Sequence, residues 1–321
     1  MVTRAAGTNL DLVERARSGD RLAVARLVSI VEDGGPELAE VAAAVFPHTG
    51  RAYAVGITGA PGAGKSTLTD ALIGAIRAEG HRVGVLAVDP SSPFTGGALL
   101  GDRVRMQAHA TDDQVFIRSM ATRGHLGGLA LATPQAIRVL DAAGNAYILV
   151  ETVGVGQAEV DVARTADTTV VIVTPGWGDS VQAGKAGLLE VADVFVVNKA
   201  DRQGAPGTVR ELEQMLHLGP PRSWQPPVLQ TVATRGEGVA ELWAAIGAHR
   251  SHLAETGELE ARRRARLSEE ISTIVAERVK ARVRRHSAAL LDRLLEGVER
   301  RELSPYAAAA ALLDGLGGEG A

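Results

Sequence analysis

Apolar positions follow three different spacings along the 321-residue chain. Over residues 9–46 they recur at helical intervals: Asp20 is a suitable N-cap, Leu22, Ala25, Leu27, Val28 and Val31 can share one face, and Gly34-Gly35-Pro36 interrupts the pattern before Leu38–Phe46. From about residue 52 short β-branched runs take over, at Tyr53–Ile57, Val83–Val88, Val115–Ile117, Tyr147–Val150, Val170–Val173, Val194–Val197 and Val228–Val232, with helical stretches between them. Runs that are apolar at nearly every position are buried on both faces, which predicts an α/β fold with a mainly parallel seven-stranded sheet between helices. Residues 258–296 contain no Gly or Pro, and Leu267, Ile271, Val275, Val279 and Val283 repeat at every fourth position, predicting a long helix or a pair of helices outside the sheet. The expected division is an N-terminal helical extension at 1–48, a nucleotide-binding domain at 49–250 and a C-terminal helical extension at 251–321.

Parallel sheets place ligands beyond the C-terminal ends of their strands, and the chemistry-bearing residues fall there. The first strand runs into Gly59-Ala-Pro-Gly-Ala-Gly64-Lys65-Ser66-Thr67, followed by the amphipathic run Leu68–Ile76. This strand, glycine loop and helix form a phosphate-binding loop: the backbone N–H groups of Gly62, Ala63, Gly64, Lys65, Ser66 and Thr67 turn toward a triphosphate. Lys65 adds a point charge and Ser66 a hydroxyl ligand for magnesium. The second strand ends in Asp89-Pro90, where the carboxylate either holds magnesium-bound water or caps a turn. Asp102, in the following glycine-rich stretch, is a further candidate or a solvated loop charge. The fourth strand ends in Glu151-Thr152-Val153-Gly154, an acid for the magnesium shell followed by a glycine placed to sense the γ-phosphate.

The sixth strand ends in Asn198-Lys199-Ala200-Asp201. An aspartate there accepts from N1–H and the exocyclic amine of guanine, whereas adenine offers an acceptor at N1, so Asn198, Lys199 and Asp201 predict GTP and GDP as ligands. Val232-Ala233-Thr234, after the last strand, would bring a backbone N–H to the guanine O6.

Composition narrows the picture by exclusion. The chain has no cysteine, which removes disulfides, thiolate metal sites and cysteine nucleophiles and leaves oxygen or histidine for any metal. That weighs against the main alternative among GTPases, a metal-delivery protein, while the other alternative is a small-molecule P-loop kinase. No uncharged apolar run of about 18 residues occurs, and the N-terminus lacks the apolar core of a secretory signal, so a cytoplasmic protein without membrane contact is expected. The net charge of −4 hides an asymmetry: residues 262–301 hold twelve Arg or Lys against six Asp or Glu. Acids are interspersed and no aromatic interleaves the arginines, which points to a solvated or dimer-forming face and not to nucleic acid.

Taken together, GAPGAGKST, the VDPSSP segment at Val88–Pro93, GDRVRM at Gly101–Met106, RGHLGG at Arg123–Gly128, ETVGVGQ at Glu151–Gln157, PGWGDSVQAGK at Pro175–Lys185 and NKAD resemble the methylmalonyl-CoA mutase-associated GTPases. The resemblance implies a GTP-hydrolysing chaperone, built as a homodimer, that gates cofactor loading and protection of an adenosylcobalamin-dependent acyl-CoA mutase. It implies that Ser66, Asp89, Asp102 and Glu151 surround magnesium, that Lys65, Glu151, Asp102 and Lys185 serve hydrolysis, and that the stretch around Asp179–Lys185 is an additional switch loop. Many relatives read G-D-E-L-Q-G-I-K there; here Ser180 replaces the acid and Ala183-Gly184 replace Gly-Ile. Val155 stands where fast GTPases carry the glutamine that orients the attacking water, so slow unassisted hydrolysis, accelerated by a partner, is expected.

Overall fold

A computed structural model describes residues 3–89, 109, 111–121, 128–152, 165–176, 187, 190–286 and 288–317. Asp102, the stretch from Asp179 through Lys185, Val153–Gln157 and Arg123 lie outside the described residues, as does the side chain of Asp89, whose backbone ends the second strand.

All seven expected runs are strands: β1 (Tyr53–Gly59), β2 (Val83–Asp89), β3 (Val115–Ala121), β4 (Tyr147–Thr152), β5 (Thr168–Val173), β6 (Val194–Asn198) and β7 (Val228–Thr231). They form one sheet of order β3-β2-β4-β1-β5-β6-β7, every neighbouring pair parallel. The register brings the functional strand ends level: Ile57 of β1 and Ala87 of β2 both lie opposite Glu151 of β4, and Asn198 of β6 lies opposite Thr231 of β7.

The period of two sorts the strand side chains between two faces. Tyr53, Val55, Ile57, Tyr147 and Leu149 face α4 (Lys65–Ala78) and α7 (Val239–Thr256), where Leu68, Leu72, Ile73, Ile76, Leu242 and Ile246 complete the layer. The fully buried leucines and isoleucines of α4 each contribute about 1.5–3 kcal/mol of transfer free energy, which seats the helix that carries the phosphate loop. Leu86, Val88, Ile148 and Val150 face the other way, into a core shared with α1 (Thr3–Arg17), α2 (Arg21–Asp33), α3 (Leu38–Val45) and α5 (Gly128–Ala142). Helix α6 (Ala205–Leu218) covers Val171, Val173, Phe195 and Val197. The N-terminal helices are thus one wall of the sheet's core.

Asp20 caps α2 as expected, accepting from the N–H groups of Leu22 and Ala23. The buried stripe, however, is Ala23, Val24, Leu27, Val28, Ile30 and Val31, and Leu22, expected on that face, is 79% exposed. With that stripe turned inward, Leu22 falls on the exposed side of the helix. Arg118 of edge strand β3 donates to Ser29 and Glu32 of α2, both at 2.9 Å, so the helix shields that edge.

The C-terminal segment is α8 (Glu258–His286), α9 (Ala288–Glu299) and α10 (Pro305–Gly317). The chain divides into two compact units, the first ending at Arg266 and the second beginning at Leu267, so α8 starts inside the first. Its opening arginines, read from the sequence as part of a solvated or dimer-forming face, are instead ion-paired. Arg263 donates to Asp167 at 2.7 and 3.1 Å, Arg266 also reaches Asp167, and Arg262 donates to Asp193 at 3.1 Å. Within the second unit Leu267, Ile271 and Val275 are exposed.

At the N-terminal ends of the strands a polar chain runs from Tyr53 Oη to Thr168 Oγ1 at 2.6 Å and on to His249 Nδ1 at 2.8 Å. His249 Nε2 lies 3.3 Å from Asp193 Oδ1. Burial pushes the Tyr53 hydroxyl up to about 12. Burial, aided by Arg262, holds the His249 imidazole below its usual 6.5, although Asp193 opposes the shift. The unfolded chain then binds a proton that the folded one refuses, so stability is complete above the unfolded imidazole range and falls as pH drops below it. Calorimetric melting between about pH 7 and about pH 5 should show a drop in midpoint that is smaller in His249→Gln; equal drops would show that this ring is not responsible.

Candidate functional site

Four carbonyls of the phosphate loop are held by side chains, and the Ala63 N–H closes a turn onto the Ala60 carbonyl at 3.1 Å. Lys65 Nζ donates to the carbonyls of Gly59 at 2.6 Å and Ala60 at 3.1 Å, Lys199 Nζ to Gly62 at 2.6 Å, and Asn198 Nδ2 to Ala63 at 2.8 Å. Gly64, the N-cap residue of α4, contributes no side-chain cap to the first N–H groups of the helix. An uncapped N-terminus with its dipole is suited to bind an anion.

Two of the glycines are there for protein neighbours. Gly59 has φ +141, and a Cβ on it would lie 2.1 Å from the Ile172 carbonyl oxygen of β5. Gly64 has φ +95, and its Cβ would lie 2.3 Å from Asn198 Nδ2. A Cβ on Gly62, at φ +73, would meet no atom within 4 Å, so no protein neighbour demands a glycine there beyond its backbone conformation.

Ser66 Oγ donates to Glu151 Oε1 at 2.5 Å, and both residues are buried. The second residue of α4 and the penultimate residue of β4 thus converge on one point. A hydroxyl and a carboxylate meeting there form an all-oxygen pair of the kind that a hard divalent cation prefers. One strand over, the backbone of Asp89 ends β2 at the same edge of the sheet, opposite Ala121. Beneath the pair, Thr152 Oγ1 donates to Thr58 Oγ1 at 3.3 Å, tying β4 to the residue that enters the loop.

The Asn198–Asp201 motif at the end of β6 lies across β1 and β5 from this point. Asn198 is 3% exposed, and its Oδ1 accepts from Thr231 Oγ1 at 3.0 Å and from the Ala233 N–H at 3.2 Å. The backbone donor of Ala233 fixes the amide orientation, which leaves Nδ2 facing Ala63. Asn198 is therefore a brace joining the phosphate loop to the Val232–Thr234 segment. Lys199 sits at φ 60, a left-handed conformation uncommon for a residue with a side chain, and its stem spans from the motif to Gly62. Asp201 is exposed at the rim, one residue beyond Ala200, whose N–H bonds to the Thr231 carbonyl at 3.0 Å.

The sites expected from the sequence are thus grouped in two clusters at one edge of the sheet: Gly62, Ala63, Gly64, Lys65, Ser66, Thr67 and Glu151 in one, Asn198, Lys199, Asp201, Val232, Ala233 and Thr234 in the other. Asp102 and Lys185 lie outside the described residues. Thr231 was not anticipated. Its only signal in the sequence is a hydroxyl at a strand end where a fully apolar residue would otherwise suit burial.

Comparison with known proteins follows the same outline. The profile of a family described as methylmalonyl-CoA mutase-associated GTPase MeaB matches residues 24–288. A Pyrococcus abyssi protein, whose name assigns it no more than a GTPase activity, is 52% identical over 318 residues, covering 97% of each chain. The Escherichia coli GTPase ArgK is 38% identical over 262 residues, 79% of each chain. The crystal structure of an LAO/AO transport system kinase has a TM-score of 0.73 at 28% identity and covers 97% of this chain and 98% of that one. Phosphate loop, level strand ends and the Asn198 brace belong to a P-loop GTPase fold, and the match over 24–288 shows that the chain belongs to the methylmalonyl-CoA mutase-associated GTPases.

Proposed function

We propose that this GTPase is a chaperone that uses GTP binding and hydrolysis to gate cofactor loading and protection of an adenosylcobalamin-dependent acyl-CoA mutase, working as a homodimer. The family match over residues 24–288 is the observation that carries this reading. In the proposed division of labour Gly62–Thr67 cradle the phosphates, Lys65 neutralises charge between the β- and γ-phosphates, and Asp201 reads guanine with Lys199 alongside. Asn198 holds the loop and the Val232–Thr234 segment in register. Ser66 and Glu151, already 2.5 Å apart, would hold magnesium together with Asp89 and Asp102. The cation would screen the phosphate charge as it builds up in the transition state. Lys185 and Asp102 are assigned to the steps that respond to the partner. The exposed Leu267, Ile271 and Val275 on α8 suit pairing with a second subunit. Among the described residues no helix is long and apolar enough to cross a membrane.

With Val155 in place of a water-orienting glutamine, hydrolysis by the isolated protein should run at roughly 10⁻⁴ to 10⁻² s⁻¹ and accelerate with the mutase. By reciprocity, GTP then alters the affinity for the mutase. Single-turnover hydrolysis with and without candidate mutases, paired with co-purification in the presence of a non-hydrolysable GTP analogue, tests both halves. An isolated rate above about 1 s⁻¹ would remove the slow timer, and no nucleotide-dependent capture of any acyl-CoA mutase would remove the chaperone role.

A further inference from the structure

At the end of the sheet opposite the phosphate loop, three arginines within the first turns of α8 grip the points where strands begin. Asp167, 2% exposed, accepts from Arg263 at 2.7 and 3.1 Å, from Arg266, and from the Ala54 N–H at 3.1 Å. Arg263 also donates to the carbonyls of Gly50 at 3.1 Å and Ala52 at 2.8 Å, and Arg266 to that of Ala166. Arg262 holds Asp193, whose other carboxylate oxygen accepts from the Thr169 N–H at 2.8 Å.

Attaching a helix would need only a hydrophobic contact, and Leu259 of α8 already packs against the core beneath. The arginines do something else: Arg263 and Arg266 donate to main-chain carbonyls and a carboxylate at the roots of β1 and β5, and Arg262 to the carboxylate at the root of β6. β1 ends in the phosphate loop, and β5 supplies the Ile172 carbonyl against which Gly59 is packed. One guanidinium, Arg263, bridges both roots, and Arg266 secures Ala166–Asp167 from the same helix face. Burial alone would raise the Asp167 carboxyl, but the hydrogen bond from Arg263 and the charges of both arginines hold it below its ordinary range, so the pair stays ionised.

We infer that Arg263 and Arg266 are positioning residues for GTP hydrolysis, setting the β1 and β5 roots so that the phosphate loop is held in reacting register with Glu151. The inference rests on the hydrolytic role proposed for that site. Hydrolysis demands finer placement than binding does, because misplacement of about 1 Å can slow a reaction by two orders of magnitude while contacts to a bound nucleotide adjust. A disturbance at the root of α8 should therefore appear in the rate of hydrolysis before it appears in nucleotide affinity.

The experiment compares Arg266→Gln, Arg266→Lys and Arg263→Gln in the full chain by single-turnover GTP hydrolysis, by calorimetric GDP affinity and by thermal melting. Arg266→Gln is the gentler change, since Asp167 keeps Arg263. The expected result is a rate lowered about 3- to 30-fold with GDP affinity within about twofold of the unaltered protein, and partial recovery in Arg266→Lys. A lower melting point with an unchanged rate would reduce the arginines to a structural bolt and overturn the inference. So would rate and GDP affinity falling in step. Absence of GTP hydrolysis in the unaltered protein would instead sink the hydrolytic reading of the site itself, which separates the two failures.

Discussion

Asp201→Asn is expected to abolish the preference for guanine nucleotides, a change of order 10⁴ in the ratio of GDP to competing-base affinities. The carboxylate accepts two hydrogens from guanine, at N1 and at the 2-amino group. An amide keeps one acceptor and turns its other arm into a donor aimed at another donor. The same amide suits xanthine, which carries an oxygen where guanine carries the amine, so xanthosine diphosphate should become the better ligand. Lys65→Ala should fail differently. It removes a charge that acts on phosphates common to every nucleotide, and should weaken GDP and xanthosine diphosphate alike, by roughly 10- to 100-fold. Calorimetry with the two nucleotides and ADP on both variants distinguishes the outcomes. If the unaltered protein bound ADP as tightly as GDP, the base-reading assignment of Asp201 would be lost.

Two truncations should differ sharply although they differ by only nine residues of α8. A chain ending at Arg266 retains Arg262, Arg263 and Arg266 and should unfold as a stable unit, monomeric by light scattering if the exposed stripe from Leu267 is the subunit contact. A chain ending at Gly257 leaves Asp167 buried with neither arginine. Breaking a buried ion pair by removing one side costs about 3–5 kcal/mol, because the remaining charge stays desolvated. Asp193 loses Arg262 as well, though it keeps the Thr169 N–H. Urea unfolding of both truncations measures the difference, and equal midpoints would show that the buried aspartates find other compensation. A loss of this size is a large part of a typical domain's stability, so the shorter chain should be prone to aggregate.

Much of this architecture is legible along the chain. The seven strands are visible because each is a local apolar run flanked by turn residues, and burial on both faces removes the polar alternation that would otherwise blur them. The phosphate loop and its helix are visible because Gly59 to Thr67 carry a spacing with one mechanical use. The placing of Glu151 and Asn198-Lys199-Ala200-Asp201 at strand ends follows from the same local reading. Even Asp20 as a helix cap could be read, since a cap acts within three residues of itself.

Other features depend on pairings that no local pattern contains. The order β3-β2-β4-β1-β5-β6-β7 decides which strand ends become neighbours. Asn198 meets Ala63 across 135 residues, and the brace constrains Gly64 by steric exclusion, so that a glycine legible as a phosphate contact is in fact also required by an amide. Leu22 looks like a core residue by spacing, yet the stripe that packs runs through Val24, Leu27, Val28 and Val31 and leaves it exposed. The arginines at 262, 263 and 266 look like a solvated basic face because their partners, Asp167 and Asp193, stand 69 to 99 positions away. Periodicity and motif spacing report short-range constraints, those that a segment imposes on itself. Which distant carboxylate neutralises a charge, and which face a helix turns inward, is set by desolvation and packing once the sheet is assembled, and these belong to the tertiary structure alone.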